Sequence, residues 1–441
     1  MIKTINSYLR KISFKLFFLS FLLIIFLSFL DGEKQNITFA KTQDTIISIS
    51  AGGANSCAVL SNGAVKCWGF SLTRNNYFPT IVEGINNASL VNSRGDYNCV
   101  LLKNGQVSCW GYNPFRVSYK PVLIEGLDNV KNITGGEIHT CALRDSALNS
   151  VQCWGSNNVG QLGDGTFKTK YTSKGDYKLV SVKHLYNSLC ERVLNISSRG
   201  SHTCALINYF CPLPHNYIKC WGWNSYGQLG NGKSIKDYVE PNNPNSLSSK
   251  IKNVFKSLLK IKQNIPAETS PVITKVANGP IVDISTGANH TCGLFCTLFG
   301  CYVKCWGLNN YGQLGDGSLE SLDKNNLNPF SVESVLVKGL ESNLSGLVSG
   351  DNHNCVIINN EQVKCWGDNR FGQLGDGTKQ TRSVPVFVQG LLGVKAISAG
   401  NFHTCALLNN NTIKCWGKND DGQLGDGTTK DNSLPVEVIF K

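Results

Sequence analysis

The stretch His403-Thr-Cys405-Ala-Leu-Leu-Asn409-Asn-Asn411-Thr-Ile-Lys-Cys415-Trp416-Gly417, followed at Gly422 by Gly-Gln-Leu-Gly-Asp-Gly-Thr, decides the fold. His403–Leu408 and Thr412–Trp416 are short β-type runs parted by a turn-forming asparagine cluster. Val394–Ser398 is a third such run, ending at Gly400. Leu434–Phe440 is a fourth, with Pro435 at its start, where a missing N–H costs little. Four short strands without a helix predict a four-stranded meander. Cys415 and Trp416 are consecutive in a strand and so point to opposite faces. Such a sheet has two apolar faces to bury, and stacking sheets around an axis buries both.

Working outward, Cys-Trp-Gly begins at Cys67, Cys109, Cys153, Cys220, Cys305, Cys365 and Cys415. Each copy has a second cysteine upstream: Cys57, Cys99, Cys141, Cys204, Cys292, Cys355 and Cys405. Gly-Gln-Leu-Gly-Asp-Gly follows at 160, 312, 372 and 422, with Gly-Gln-Leu-Gly-Asn-Gly at 227. A period of this length identifies a repeat architecture. The seven repeats, about 45–85, 86–127, 128–183, 184–279, 280–339, 340–390 and 391–441, predict an all-β, seven-bladed propeller of four-stranded blades over 45–441.

The 441 residues include 44 Gly, one Met and 18 Cys, with 41% hydrophobic and 16% charged residues. That composition excludes a disordered chain, a coiled coil, collagen and a polytopic membrane protein. Eighteen cysteines are out of place in a reducing cytosol unless they bind metal. Lys3, Arg10, Lys11 and Lys15 precede an apolar block, residues 16–30, interrupted only by Ser20 and Ser28. Residues 1–40 therefore read as a signal peptide, with Thr38-Phe39-Ala40 as a cleavage site, or as a signal anchor and short linker. Either way the propeller is expected outside: secreted, periplasmic or at the cell surface. The formal charge of +12 falls to +8 without residues 1–30, which hold four basic residues and no acid. That remainder is scattered lysine and calls for no nucleic acid.

The order Gly-x-x-His-Thr-Cys-Ala-Leu, Cys-Trp-Gly, Gly-Gln-Leu-Gly-Asp-Gly-Thr resembles the regulator of chromosome condensation repeat, over about residues 45–441. The resemblance implies a seven-bladed propeller. It also implies two kinds of activity: nuclear members are chromatin-bound exchange factors for a small GTPase, and secreted members include a β-lactamase inhibitor that binds through one propeller face. Repeats 1 and 2 depart from the pattern, because Gly-Gln-Leu-Gly is missing after Trp68 and Trp110 and because Asn55 and Tyr97 replace the histidine.

Antiparallel pairing of the second and third strands places Cys405 opposite Cys415, within disulfide reach. The same reading pairs Cys57–Cys67, Cys99–Cys109, Cys141–Cys153, Cys204–Cys220, Cys292–Cys305 and Cys355–Cys365. Cys296–Cys301 fits the register of Cys292–Cys305, and Cys190–Cys211 joins two connections on one face of a meander. The competing reading, a metal site, lacks any Cys-x-x-Cys.

Five histidines recur at one position: His139, His202, His290, His353 and His403. They read either as a ring of ligands or bases, or as turn residues bonding backbone between strands one and two, the second being expected of a residue found once per blade. Asp164, Asp316, Asp376 and Asp426 lack the spacing of a calcium loop and are expected to shape turns. No catalytic set, cofactor or metal is called for.

An insertion, 233–270, enlarges repeat 4. Within it, residues 248–262 have helical apolar spacing and a basic opposite side. Lys250, Lys252, Phe255, Lys256, Leu259 and Lys260 form a candidate contact for a partner or an anionic membrane, unless the helix lies on the propeller with its apolar stripe buried. The function expected is a monomeric, exported, non-enzymatic propeller that binds a protein through loops of one face. The alternatives are an exchange-factor-like effector acting on a host GTPase and an enzyme with a site in the central channel.

Overall fold

The computed structural model describes residues 44–441 except 71–74, 96, 114–115, 147–149, 173–175, 187, 212, 236–265, 276–279, 320–328 and 360. It contains seven four-stranded sheets, each made of consecutive antiparallel strands. Blade 1 spans 46–81, and the others span 88–123, 130–181, 191–273, 281–336, 344–387 and 394–437. In blade 7 the strands are Val394–Ala399, His403–Leu408, Ile413–Gly417 and Asn432–Glu437.

First strands of adjoining blades touch and so surround the axis. Their hydroxyls hold one another's backbones: Ser50 Oγ accepts from the Ser93 amide at 2.8 Å and Ser398 Oγ from the Ala51 amide at 2.9 Å. Fourth strands form the rim. Pro79, Pro121, Pro271, Pro385 and Pro435 all lie within them. A rim strand has one unpaired edge, so proline is tolerated inside it and also blocks pairing with other chains. This corrects the placement of Pro435, which sits within its strand rather than at the start.

Cys405 faces Cys415 in the ladder between the second and third strands, with Cα atoms 4.1 Å apart. The seven inter-blade cores follow one plan, in which the cystine side of one blade meets the Trp side of the next. Blade 6, for example, offers Cys355, Cys365 and Leu374 to Trp416 of blade 7. The ring closes the same way, with Cys405, Cys415 and Leu424 of blade 7 around Trp68 of blade 1.

Candidate functional site

The leucine of each Gly-Gln-Leu-Gly loop is a wedge between blades: Leu162, Leu229, Leu314, Leu374 and Leu424 are buried. The loop is shaped by its own side chains. Asn419 Oδ1 accepts from the Leu424 amide at 2.9 Å, and Asp426 Oδ1 accepts from the Thr428 amide at 2.9 Å. Asp164, Asp316 and Asp376 accept in the same way, so these carboxylates make turns. In four of the loops the glycine after the leucine, Gly163, Gly315, Gly375 or Gly425, abuts the indole of the neighbouring blade. A Cβ on Gly375 would stand 2.8 Å from Trp416 Nε1, and its φ of +71° already disfavours a side chain.

The glutamine of each loop turns its carbonyl oxygen to the next blade. Trp68, Trp221, Trp306, Trp366 and Trp416 donate their indole N–H to Gln423, Gln161, Gln228, Gln313 and Gln373 at 2.9–3.0 Å. In four of these seams a second side chain donates to the same oxygen: Ser56 to Gln423, Thr291 to Gln228, Asn354 to Gln313 and Thr404 to Gln373.

The histidines complete the clasp. His353 Nε2 lies 3.0 Å from Thr404 Oγ1, and His290 Nε2 lies 2.8 Å from Asn354 Oδ1. Thr404 spends its hydrogen on Gln373, so it accepts from a proton on His353 Nε2, while burial and an unpartnered Nδ1 keep the ring neutral. His139, His202 and His403 reach Thr203, Thr291 and Ser56 alike. The backbone bond expected of a turn residue is present, since the carbonyls of His139, His290, His353 and His403 accept from the amides of Gly136, Gly287, Gly350 and Gly400, and each ring adds a side-chain bond to the next blade. Burial drives His139, His202 and His403 down to about 3 and His290 to about 4, and holds His353 well below the usual range.

The two seams without a leucine wedge differ from the rest. Between blades 2 and 3, Trp154 is buried with no acceptor for its Nε1. Between blades 1 and 2 a cleft of about 390 Å³ remains, lined by Trp68, Asn98, Trp110, Ser118 and Pro121 among others. Blade 1 joins its third and fourth strands by residues 70–75, six in all, where blade 7 uses fourteen, 418–431. The connection of blade 1 is eight residues shorter and carries no Gly-Gln-Leu-Gly.

On the same face, where strands one and two connect, the axis carries charge. Gly52, Gly136, Gly287, Gly350 and Gly400 stand three residues before the Asn or His position. Blades 2 and 4 have Arg94 and Arg199 there. Both guanidiniums converge on the carbonyl oxygen of Ala399 in blade 7. Arg199 also donates to Asp351 Oδ1 at 2.9 Å and Asn401 Oδ1 at 3.2 Å. Burial and the neighbouring Arg199 lower Arg94 well below the usual arginine range. The pair was not singled out in the sequence, although an arginine at a position that is otherwise glycine was a readable signal.

The structure joins Cys57–Cys67, Cys99–Cys109, Cys141–Cys153, Cys190–Cys211, Cys204–Cys220, Cys292–Cys305, Cys296–Cys301, Cys355–Cys365 and Cys405–Cys415. Among the described residues no cysteine is free, no acidic, His or Cys cluster could hold a metal, and no helix is long and apolar enough to cross a membrane. The apolar block 16–30 and the segment with Lys250, Lys252, Phe255, Lys256, Leu259 and Lys260 lie outside the described residues. The fourth strand of blade 4 begins at Ala267.

Two family models described as the regulator of chromosome condensation (RCC1) repeat match residues 46–77, 345–373 and 394–423, and residues 303–357, 362–407 and 415–441. The chain is 28% identical over 251 residues to the human probable E3 ubiquitin-protein ligase HERC6, covering 55% of this chain and 19% of that protein. It is 25% identical over 254 residues to the ultraviolet-B receptor UVR8 of Arabidopsis thaliana, covering 58% and 44%. The chain thus spans less than half the length of these curated relatives. Human WBSCR16 superposes with a TM-score of 0.57 at 17% identity, over 90% of this chain and 83% of that one. A chain of the Kap60 complex with yeast RCC1 (Prp20) superposes with a TM-score of 0.64 at 15% identity, over 86% and 84%. With the same clasp in five of its seven seams, the chain is a cysteine-rich, seven-bladed propeller that matches the regulator of chromosome condensation repeat over residues 46–77 and 303–441.

Proposed function

We propose that the chain is an exported protein-binding propeller that recognises its partner through one face. The observation that carries this reading is the cleft between blades 1 and 2, which remains open at one of the two seams whose repeat lacks Gly-Gln-Leu-Gly. It opens on the face formed by the strand one–two and strand three–four connections, and connecting loops on a rigid scaffold are where binding usually resides. The basic and apolar N-terminus and the nine disulfides support export. The yeast RCC1 propeller is bound to Kap60, which makes a protein the natural class of partner.

The test is site-specific photo-crosslinking in the producing cells. A benzophenone amino acid replaces exposed Tyr119 beside the cleft or, as a control, exposed Val282 in the first strand of blade 5. A protein cross-linked outside the cell from 119 and not from 282 supports the reading. Retention of the chain inside, or equal cross-linking from both positions, overturns it.

A further inference from the structure

We propose that the cleft between blades 1 and 2 is a docking slot for a leucine-bearing turn of a partner polypeptide, gripped through one free backbone carbonyl by Asn98 and Trp110. This rests on the reading of the chain as a protein-binding propeller and specifies the chemistry recognised.

The template lies within the same molecule. Between blades 5 and 6, Asn354 Nδ2 and Trp366 Nε1 both donate to the Gln313 carbonyl, at 2.8 and 3.0 Å. The following residue, Leu314, packs with the Cys292–Cys305 bridge and Trp366. The amide of Asn354 is oriented from behind by His290, which meets its Oδ1 at 2.8 Å.

Blades 1 and 2 repeat this constellation residue for residue. Asn98 faces Trp110 across the strand pair as Asn354 faces Trp366. Asn55 Nδ2 donates to Asn98 Oδ1 at 3.1 Å, which leaves the Asn98 amide N–H groups to the cleft. Asn55 therefore does the work of the histidine it replaces. The cystine Cys57–Cys67 and Trp110 supply the apolar wall that elsewhere meets leucine. Two donors and an apolar wall are in place, and among the described residues no carbonyl and leucine fill the position they take in the other seams.

The seam between blades 2 and 3 shows that loss of a wedge does not by itself leave a slot. There Trp154 packs with Ile124, Tyr177 and Leu179 and is buried. Between blades 1 and 2 the volume is kept together with the donors. The occupant is a polypeptide turn because a glycine after the leucine, as seen against the indole in four of the filled seams, lets a backbone lie on an indole. The chemistry needed from the partner is a leucine, a small residue after it and a carbonyl before it.

The probe is a backbone-cyclised peptide, Asn-Asp-Asp-Gly-Gln-Leu-Gly-Asp-Gly-Thr, copied from residues 419–428. It is titrated into the oxidised full chain labelled with ¹⁵N at the tryptophan indoles. Trp110 is assigned through Trp110→Phe. Saturable movement of the Trp110 resonance is expected. A peptide with Ala for Leu should bind at least tenfold more weakly, since it removes a buried leucine. Asn98→Asp, which replaces the donor amide by an anion, should weaken binding about tenfold or more. If Asn98→Asp fails to fold, Ser118→Trp, which obstructs the cleft from its rim, should block the shift.

A Trp110 resonance that stays fixed to millimolar peptide would overturn the proposal, as would binding indifferent to the leucine. A Trp110 indole already bonded without peptide and released by Leu72→Ala would assign the slot to the chain's own loop and also overturn it. A partner cross-linked from position 119 with a yield unmoved by saturating peptide removes the slot but leaves the protein-binding reading standing.

Discussion

Trp416 of blade 7 donates its indole hydrogen to the carbonyl oxygen of Gln373 in blade 6 at 2.9 Å, and Thr404 reaches the same oxygen at the same distance. One carbonyl thereby joins two strands of one blade to a loop of another. The cooperation of this bond with the leucine beside it sets the cost of disturbing a seam.

Leu374→Ala should destabilise the chain by about 2–5 kcal/mol, because a fully buried wedge is lost and neighbouring cystines leave little room to collapse. Gly375→Ala should also destabilise it, since the new Cβ meets the Trp416 indole. Urea unfolding of the oxidised chain checks both. A Leu374→Ala loss under about 1 kcal/mol would contradict the wedge role.

Acid should weaken the ring in a defined window. The buried histidines resist protonation, with values near 3 for His139, His202 and His403 and near 4 for His290, against 6.5 ordinarily. Below pH 6.5 the unfolded chain takes up protons that the folded chain refuses. Stability is therefore full above that pH and is lost as pH falls toward 3–4, by about 1.4 kcal/mol per pH unit for each histidine. Melting temperature should fall steeply between pH 6.5 and 5, and His403→Gln should make the fall shallower. A melting temperature flat over that range would refute the neutral clasp.

Much of this was legible in the sequence. Repeat count, strand number and the Cys405-to-Cys415 facing follow from period-two alternation and a hairpin that closes on a short turn. The destination of His403 was not legible, because its partner Ser56 is 347 residues away and belongs to a repeat that lacks its own histidine. The cleft was half legible: absence of Gly-Gln-Leu-Gly in repeats 1 and 2 could be read, but not which seam would close over the loss. That depends on Tyr177 and Leu179, which precede the two-residue fourth strand of blade 3.

The axial arginines should respond unequally. Arg199→Met leaves Asp351 and Asn401 without their shared donor and should cost about 3 kcal/mol. Arg94→Gly restores the residue used in five other blades and removes a second cation from beside the first. It should be neutral or stabilising. Chemical denaturation of both variants checks this, and equal losses would show that the two cations act as one unit.

Residues 236–265 should be dispensable for folding. Their flanks are pinned side by side, since the Ile235 amide donates to the Ser225 carbonyl at 3.0 Å and the Asn224 amide to the Pro266 carbonyl at 2.6 Å. A short Gly/Ser linker can therefore span the gap, at little loop-closure cost. Circular dichroism and melting temperature should match the parent. A large drop in melting temperature would show that the segment covers apolar surface on the propeller.

All nine disulfides join residues of a single blade, at sequence separations from 5 to 21, and none crosses a seam. This bears on how the molecule is made. Each cysteine meets its partner soon after the two emerge in order, and contacts over about ten residues form in well under a microsecond. Blades can thus be oxidised one after another as the chain is delivered, with no wait for distant sequence. The long-range step left for the end is closure, when Trp68 finds Gln423 across 355 residues. A chain halted before blade 7 would be a row of finished blades with an open end, correctly bridged throughout and still not a ring.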